Sequence, residues 1–282
     1  MRNNRRRRKN FKIIKSGGNQ ETFSRKKLLR SLERSGLDRK ECQNISNKVS
    51  GLVEEGSNTK EIFRKTYNLV KETSPLASVH YSLKKSLFDL GPEGHHFESY
   101  VARFFEEIGF ETQTCRTLQG KFIKHEVDVI STLRGKRYFT ECKFHNRAGI
   151  KNDAKISLYV KARWDDLREG PEGKNLNGFY IASNTAFSLD AISYAKGTGM
   201  QLLGVNAPEK ESFLDTIKKL RLYPVTSLRN ITKPVKKMLL ARKITVAKDL
   251  LFHENLLFKF GLSEPDIERV IKEINYLQKA RS

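Results

Sequence analysis

The chain has 282 residues and three cysteines, and its 54 Lys and Arg residues outnumber 32 Asp and Glu residues, for a net charge of +22. No stretch reaches the roughly 18 consecutive apolar residues of a membrane-spanning helix, and no apolar segment follows the basic start as a signal peptide requires. The three distant cysteines suggest neither a disulfide framework nor a zinc site and predict a reducing, cytoplasmic location. The excess of basic residues predicts a polyanionic partner.

Charge is unevenly distributed along the chain. Residues 1–90 carry 22 basic and 9 acidic side chains (+13), residues 91–207 carry 16 and 14 (+2), and residues 208–282 carry 16 and 9 (+7). The flanks would therefore supply most of the non-specific attraction to phosphate. The first ten residues, MRNNRRRRKN, have one charge sign and no apolar face, which is typical of a disordered basic arm. Either this arm docks on a nucleic-acid backbone or it is a solvated tail.

Two short strands and four helices are predicted in the segment that follows the arm. An apolar strand leads into a Gly17-Gly18 turn and a second strand at Glu21 to Phe23, and Ser24 caps the first helix. The later helices are predicted at Arg39 to Glu55, Thr59 to Thr73, and Ser78 to Leu90, with Gly91-Pro92 closing the last one. The expected fold is an N-terminal helix bundle with a small β cap.

The strands, turn and first helix of this segment resemble the ATP-cone, the regulatory nucleotide-binding domain of ribonucleotide reductases and of their repressor. In that family a V-x-K-R-D-G strand and turn, an E-x-F and a lysine at the helix start surround the nucleotide. The matching residues here are Lys15, Gly18, Glu21, Phe23 and Lys27, with Tyr81 near the tyrosine of the last helix. Ser16 and Gly17 replace the family's arginine and aspartate. The resemblance implies ATP or dATP as a regulatory ligand, and the lack of a Walker-type loop in the sequence argues against hydrolysis. The alternative is that Lys15 and Lys27 are ordinary surface lysines.

A helix is predicted from His96 to Ile108. Its apolar residues recur at helical spacing, and Gly109 suits the position just after a helix end. Glu98 lies at the edge of the apolar stripe. A carboxylate there either reaches solvent or helps to hold a metal ion.

Residues 125–145 form a predicted hairpin around which the middle of the chain is organised. A two-residue loop at Arg134-Gly135 pairs position n with position 269 minus n, so Asp128 faces Glu141. Their Cβ atoms would be roughly 4.5–5.5 Å apart, a separation at which two carboxylates repel. Lys143 follows on the same face, about 6.5 Å along the strand. This set suits Mg²⁺ with a cation beside it for a phosphate or an attacking water.

The alternative is a solvated hairpin face whose charges are incidental. Bulky or apolar side chains occupy both faces of the second arm, at Phe139, Cys142 and Phe144. They predict an interior strand, on which a buried acid pair would need a partner such as a bound cation.

Asp128 and the E-x-K of Glu141, Cys142 and Lys143 resemble the active-site signature of the PD-(D/E)xK nucleases. The surrounding text is similar to the Mrr-type restriction-endonuclease branch over about residues 94–205. GHHFESYVARFFEEIGFETQ resembles its opening helix, with the family's glutamate at Glu98, and FYIASNTAFSLDAISYAKGTGMQLLGV resembles its strand, Ser/Thr turn, helix and closing strand. The resemblance implies a central restriction-endonuclease-like α/β/α core and Mg²⁺-dependent hydrolysis of DNA phosphodiesters. It assigns Asp128, Glu141 and Glu98 to metal binding and catalysis, and Lys143 to the attacking water.

The helix predicted after the hairpin, SLYVKARWDDL, places apolar side chains at Leu158, Val160 and Trp164 against the sheet. Lys161 and Arg163 are candidates for contact with DNA near the scissile phosphate. The alternative is that both are solvated, as long basic side chains on such a helix usually are.

Residues 208–282 are basic and predicted to be helical. In LLFKFGLSEPDIERVIKEI, a Gly261 turn leads to Ser263 as an N-cap and Pro265 in the first helical turn. This stretch resembles a helix-hairpin-helix unit, which binds DNA backbone without reading sequence. The alternative is a plain packing module, since short helical pairs with a glycine turn are common.

These patterns predict an α/β multidomain protein in four parts: a basic disordered arm at residues 1–10, an ATP-cone domain at 11–91, a nuclease domain at 92–207 and a C-terminal helical domain at 208–282. The predicted function is a Mg²⁺-dependent DNA endonuclease without a membrane partner. ATP or dATP would bias its activity through domain docking or through the assembly of a homo-oligomer.

Two alternatives stay open. One is a nucleotide-responsive DNA-binding regulator with an inactive nuclease core, against which the retained, mutually repelling carboxylates argue. The other is an RNA substrate.

Overall fold

The computed structural model of the chain describes residues 11–15, 17–147 and 149–279. The predicted basic arm at residues 1–10, and Ser16, lie outside the described residues. The chain divides into two compact units, Met1–Ser82 and Leu83–Ser282. This division comes earlier than the predicted boundary at residue 91, and the predicted nuclease domain and C-terminal helical domain belong to one unit.

The first unit combines a two-stranded antiparallel sheet with helices. Its elements in chain order are β1 Lys12–Ile14, β2 Gln20–Thr22, α1 Arg25–Glu33, α2 Arg39–Gly51, α3 Thr59–Thr73 and α4 Pro75–Phe88, the last of which extends past Ser82. Ser24 caps α1 as predicted, Asp38 caps α2 in a capping box with Glu41, and Asn58 caps α3.

Helix α3 has the predicted ends, whereas α2 and α4 differ from the prediction. Helix α2 ends at Gly51, before the predicted Glu55. Helix α4 begins at Pro75, before the predicted Ser78, because proline is favoured in the first turn of a helix. The core of the first unit is made of side chains from all four helices and β1: Ile13, Leu28, Leu32, Leu37, Cys42, Ile45, Val49, Val53, Val70 and Ala77.

The second unit contains the central sheet and the carboxyl-terminal helices. Its elements are α5 His95–Glu107, β3 Glu111–Gln119, β4 Lys124–Leu133, β5 Lys136–Lys143, β6 Lys151–Asn152, α6 Ala154–Glu169, β7 Leu176–Ser183, β8 Ala186–Phe187, α7 Leu189–Thr198, β9 Gln201–Leu203, α8 Phe213–Lys219, α9 Lys233–Ala241, α10 Glu254–Lys259 and α11 Glu264–Lys279. Short 3-10 turns cover Gly173–Asn175, Val225–Ser227 and Ala247–Phe252.

Five strands form the central sheet, in the order β3-β4-β5-β7-β9. The first three are antiparallel neighbours, and β5, β7 and β9 are parallel neighbours. Parallel neighbours need a crossover connection, and α6 and α7 lie in the two connections. The second hairpin strand, β5, is therefore an interior strand, as predicted.

Helices cover both faces of the sheet. On one face the Trp164 ring of α6 stacks on Phe179 of β7, with ring centroids 4.7 Å apart, and Phe139 of β5 packs beside them. On the other face Phe105 of α5 packs edge-on against Tyr180, at 5.2 Å. The predicted mixed α/β class is confirmed.

One core prediction for α6 is wrong. Val160 and Trp164 are buried, but Leu158 is 50% exposed. The buried face of the helix instead passes through Ser157, Val160 and Trp164, which are three and four residues apart.

The same type of helix end occurs three times in the carboxyl-terminal part of the chain. Helices α8, α9 and α10 are each followed by a residue of positive φ, at Arg221 (53°), Lys243 (60°) and Gly261 (82°). The amide of the residue that follows each of them donates to the carbonyl oxygen five residues earlier, in the last helical turn, at 2.9–3.1 Å. This is the Schellman type of helix end. The segments that follow the first two of these turns pair with each other. The Val225 amide donates to the Thr245 carbonyl oxygen at 2.8 Å.

The Gly261 turn leads into α11 as predicted. Ser263 precedes the helix, accepts from the Asp266 amide at 3.4 Å, and leaves Pro265 in the first turn.

Several contacts join the carboxyl-terminal part to α5, including an ion pair of Lys248 with Glu107. The buried Tyr100 hydroxyl donates to the Leu222 carbonyl oxygen at 2.7 Å, and Arg103 makes a bidentate ion pair with Asp249 at 3.0–3.2 Å. These contacts explain why the predicted nuclease domain and C-terminal helical domain form one unit. Across the part of the chain that the structure describes, no helix is both long and apolar enough to cross a membrane.

Candidate active site

Strands β4 and β5 pair in the predicted register around a two-residue loop. Arg134 and Gly135 form the loop, and both have positive φ (51° and 76°), as a type I′ turn requires. The Cα pairs run from the loop to Val129 opposite Thr140. The sequence spacing thus predicts this register correctly.

The ladder ends one position before the predicted acid pair. The next pair in this register would be Asp128 and Glu141. The Cys142 amide instead donates to Asp128 Oδ2 at 2.6 Å, in place of a ladder hydrogen bond to β4. The strands therefore part at the two acids.

Asp128 is a perturbed acid. Burial raises its pKa to about 6, and the negative charge of Glu141 adds to the increase. The Cys142 amide and the Arg163 guanidinium oppose this increase because both favour the charged carboxylate. Two carboxylates that face each other are expected to raise each other's pKa in this way, so the effect of Glu141 on the pKa of Asp128 agrees with the predicted acid pair.

Glu141 is held by Arg163 of α6. The Arg163 side chain is buried, forms an ion pair with Glu141 and donates to the Glu126 carbonyl oxygen. Its guanidinium lies 5.9 Å from the Phe139 ring centroid and 5.4 Å from that of Tyr159. Arg163 is thus the counter-charge of the acid pair and is not a solvated side chain. Its contact with DNA stays a prediction.

Glu98 approaches the same acids from α5. Burial raises its pKa, and the charge of Asp128 raises it further. The Cys115 thiol donates to Glu98 Oε2 at 3.6 Å. Cys115 has a φ of 53° in the middle of β3, between the residues that pair with Val127 and Val129. It therefore sits across from Asp128, a position that no local pattern of the sequence indicates.

Lys143 ends β5, two residues beyond Glu141, with its side chain exposed. Its main chain is fixed by the segment after β7. Ser183 Oγ donates to the Lys143 carbonyl oxygen at 2.8 Å, and the Asn184 amide group makes two hydrogen bonds with the His145 backbone, at 3.0 and 2.9 Å.

The acid set fits a hard divalent cation in chemistry. Asp128 and Glu141 offer carboxylates from facing strands, and Mg²⁺ commonly uses one or two carboxylates together with water. Burial, and then repulsion from a neighbouring acid, raise the pKa of Asp128 and Glu98, and a cation would relieve that repulsion. Among the described residues these three carboxylates do not all come within 4.8 Å of one another, so they form an open set. Glu141 has to leave Arg163 to take part.

Lys161 is on the exposed side of α6, in an ion pair with Asp165 at 2.6 Å. Its contact with DNA also stays a prediction.

Asp166, which follows Asp165 in the chain, has a structural role. It accepts from the Phe122 amide at 2.9 Å and lies 2.7 Å from His125 Nε2, which holds the β3–β4 turn on α6.

In the first unit, three predicted nucleotide-binding residues come together. Lys15 and Lys27 both pair with Glu21 Oε2, at 2.7 and 3.1 Å. The hydrogen bond from Lys15 is the largest effect and lowers the pKa of Glu21 against a smaller opposing effect of burial. Gly18 has a φ of 84°, and its amide donates to the Lys15 carbonyl oxygen at 2.9 Å.

The other two predicted nucleotide-binding residues lie against the core. Phe23 and Tyr81 are partly buried and pack on the cluster of the first unit. The Tyr81 ring stacks on Phe63 with centroids 5.2 Å apart, and burial raises the pKa of Tyr81. These contacts are those of packing residues, and a role in nucleotide binding stays a prediction.

The fold and the site define a mixed α/β protein with an acidic cluster at the opening between two antiparallel strands. Residues 223–278 match the family model described as AF1548-like, C-terminal. An uncharacterized protein of Archaeoglobus fulgidus is 36% identical over 177 residues, which are 61% of this chain and 97% of that protein. The chain therefore belongs to the AF1548-like family.

Two solved structures are similar to this chain. The crystal structure of AF1548, a protein of unknown function, has a TM-score of 0.55 and 34% identity, covering 67% of this chain and 100% of that one. The crystal structure of protein VC1899 from Vibrio cholerae has a TM-score of 0.27 and 16% identity, covering 68% of this chain and 48% of that one. The second similarity is too low to carry an argument.

Proposed function

We propose that the chain is a Mg²⁺-dependent DNA endonuclease of the PD-(D/E)xK type. The observation that carries the proposal is the opening between β4 and β5, where Asp128 and Glu141 meet as a repelling pair with Glu98 and Lys143 nearby. The order of elements from α5 to β9 supports it, since it contains in sequence the helix, hairpin, helix, strand, helix and strand that the Mrr-type resemblance implies, with β3, β6 and β8 as additional strands.

Each side chain has a distinct task in this proposal. Mg²⁺, when bound, supplies charge neutralisation at the phosphate and a more acidic water. Asp128 and Glu141, the latter released from Arg163, would hold the ion with Glu98 beside them, and the Cys142 amide orients the Asp128 carboxylate. Lys143 orients or deprotonates the attacking water and stabilises negative charge on the phosphate oxygens.

The charge distribution supports a nucleic acid as the polyanionic partner. The middle segment is nearly neutral (+2), whereas the flanks carry +13 and +7. Non-specific binding through phosphates would therefore come chiefly from the flanks. The Gly261 turn before α11 is a candidate contact, since hairpin amides of this type bind phosphate without reading sequence.

A plasmid-nicking assay with and without Mg²⁺ tests the activity. Asp128→Asn and Glu141→Gln should abolish nicking while DNA binding is retained, because these changes remove ligands without adding bulk. Lys143→Met should slow nicking by about 10²-fold or more, as for loss of a charge-stabilising group. Glu126→Gln is the matched control, since Glu126 is an exposed acid on the same strand. Nicking by Asp128→Asn at the wild-type rate would overturn the assignment.

The Arg163–Glu141 ion pair favours a second candidate, a nucleotide-responsive DNA-binding regulator with an inactive core. A guanidinium that already neutralises one acid of the pair leaves less need for a metal ion. Under this alternative the wild-type protein binds DNA but nicks no plasmid with Mg²⁺ or Mn²⁺, and calorimetry shows no Mg²⁺ binding that Asp128→Asn removes.

Regulation by ATP or dATP is the second part of the proposal. The pairing of Lys15 and Lys27 with Glu21 places two cations beside the Gly18 turn, where phosphate would compete for them. At 100 Kd, ligand linkage is worth about 2.7 kcal/mol, so ATP or dATP should raise the Tm of the full chain. Lys15→Ala with Lys27→Ala should remove the increase, and Lys26→Ala, at an exposed neighbour, should not. If neither nucleotide at millimolar concentration changes the wild-type Tm, this part fails while the nuclease assignment stands.

A further inference from the structure

Three potential metal ligands converge at the start of α5, apart from the acid pair. Glu93, His95 and His96 each place one ligand atom within 4.8 Å of the other two. The His95 and His96 ring centroids are 4.0 Å apart, and His95 Nδ1 lies 3.5 Å from Glu93 Oε2. Ligands on a tetrahedral Zn²⁺, with bonds of about 2.0–2.2 Å, lie roughly 3.4 Å from one another. The His95–Glu93 distance already meets this spacing.

His96 provides a second, separate observation. Its Nδ1 atom is buried and has no hydrogen-bond partner among the described residues. A buried polar atom left without a partner is costly, so native structures usually satisfy it. A metal ion bound through this nitrogen would satisfy it.

The loop that carries these residues is held in place. Gly91 has a φ of 116°, and a Cβ atom there would lie 3.5 Å from the His96 ring. The Asn146 side-chain amide donates to the Pro92 carbonyl oxygen at 3.3 Å, which ties the loop to the segment after β5. The Asn146 hydrogen bond therefore anchors the loop that carries the ligand set.

Two imidazoles and one carboxylate select a particular class of ion. Imidazole nitrogen suits Zn²⁺, Co²⁺ and Ni²⁺, whereas Mg²⁺ takes oxygen ligands. Three protein ligands leave at least one coordination position open. The positive end of the α5 dipole opposes a cation. The negative charges of Glu93 and of Glu98, one helical turn further on, offset it.

We propose that Glu93, His95 and His96 form a binding site for a divalent transition metal of the Zn²⁺ class, separate from the Asp128 and Glu141 pair. The site keeps an open position for water or for an anionic ligand. It stands independently of the nuclease proposal, because neither its residues nor its preferred metal are those of the acid pair.

Metal binding to the full chain tests the proposal. The chelator-treated wild-type protein is titrated with Co²⁺, followed by visible absorption, and then with Zn²⁺ against a chromophoric chelator. One Co²⁺ should bind with visible ligand-field bands, and Zn²⁺ should displace it. His95→Gln and Glu93→Gln, both at exposed positions, should each weaken Zn²⁺ binding by more than the roughly 10–100-fold typical of residues that only support a ligand.

His253→Gln and Asp128→Asn are the controls. His253 is an exposed histidine outside the cluster, and Asp128 belongs to the acid pair. Neither substitution should change the Co²⁺ spectrum or the Zn²⁺ affinity, and Zn²⁺ should raise the Tm of both control proteins but not of His95→Gln. A wild-type protein that binds no Co²⁺, equal Zn²⁺ affinity in His95→Gln and His253→Gln, or loss of Zn²⁺ binding in Asp128→Asn would each overturn the proposal.

Discussion

Asp128 is an acid whose surroundings favour its neutral form. Burial and the nearby Glu141 charge raise its pKa from 3.8 to about 6. A carboxyl that is held this way binds its proton more tightly in the folded state than in the unfolded chain. Residues kept in such an unfavourable state are common at functional sites.

This shift predicts a pH-dependent cost in stability. Between pH 3.8 and about 6 the folded state binds more protons at Asp128, so its contribution to the free energy of unfolding falls as pH rises through this window. Above the window the loss is on the order of 2–3 kcal/mol. Asp128→Asn should therefore be more stable than wild type at pH 7.5 and similar to it near pH 3.5. Urea unfolding in EDTA measures this, with exposed Asp165→Asn as the control. An equal difference at both pH values would contradict the prediction.

The ion pair of Arg163 with Glu141 predicts a second effect on stability, which arises from a buried charge left without its partner. Arg163→Met leaves the Glu141 charge without its partner, at a cost of about 3–5 kcal/mol for a buried pair. Adding Glu141→Gln should recover much of this loss, because no charge then remains to be neutralised. Lys161→Met, which breaks the exposed pair with Asp165, should change stability by less than about 1 kcal/mol. Equal losses in Arg163→Met and Lys161→Met, measured by urea unfolding, would show that the inward ion pair does not stabilise the fold.

At the scale of elements, α11 is joined to the loop before α9 by one buried carboxylate. Glu273 is 6% exposed. It accepts from the amides of Arg229 (3.0 and 3.1 Å) and Asn230 (3.0 Å) and from both of their side chains. A loop amide with no helix or strand partner has to be satisfied in this way.

Glu273→Ala should therefore destabilise the protein strongly. Removing the carboxylate leaves two backbone donors unsatisfied, which we expect to cost about 2–4 kcal/mol. Glu268→Ala is the matched control, since Glu268 is on the same helix and, among the described residues, pairs only with exposed Lys272. The midpoint of urea unfolding measures both variants. If Glu273→Ala costs no more than Glu268→Ala, the carboxylate is not what holds this loop.

At the scale of the whole molecule, each of the two units carries much of the charge. Residues 1–82 have 20 basic and 8 acidic side chains (+12), and residues 83–282 have the remaining 34 and 24 (+10), which together give +22. The second unit includes the carboxyl-terminal helices, which contact α5 through Tyr100 and Arg103. A nuclease fragment should keep these helices for that reason.

This division predicts the salt dependence of DNA binding. A protein of residues 83–282 should show a smaller slope of log affinity against log salt than the full chain, because fewer counterions are released. Titrations of one labelled duplex across a range of KCl concentrations measure both slopes. Equal slopes would show that residues 1–82 do not contact DNA.

Local patterns in the sequence predict much of this protein. The Arg134-Gly135 turn and the alternation of its flanking strands are enough to place Asp128 opposite Glu141, because hairpin register depends only on loop length and side-chain period. The helix starts at Ser24 and Ser263 follow from capping, and a bulky second arm predicts an interior strand. Each of these features depends on residues close to one another in the chain.

Only the tertiary structure decides which side chains surround the acid pair. Arg163 turns inward because Glu141 and the Glu126 carbonyl oxygen lie above α6 once the sheet has formed. Cys115 reaches Glu98 because a left-handed residue interrupts β3. The groups that meet at these contacts are separated by 17 to 37 positions. No local period or turn signal relates residues so far apart, because their meeting depends on how the helices pack on the sheet.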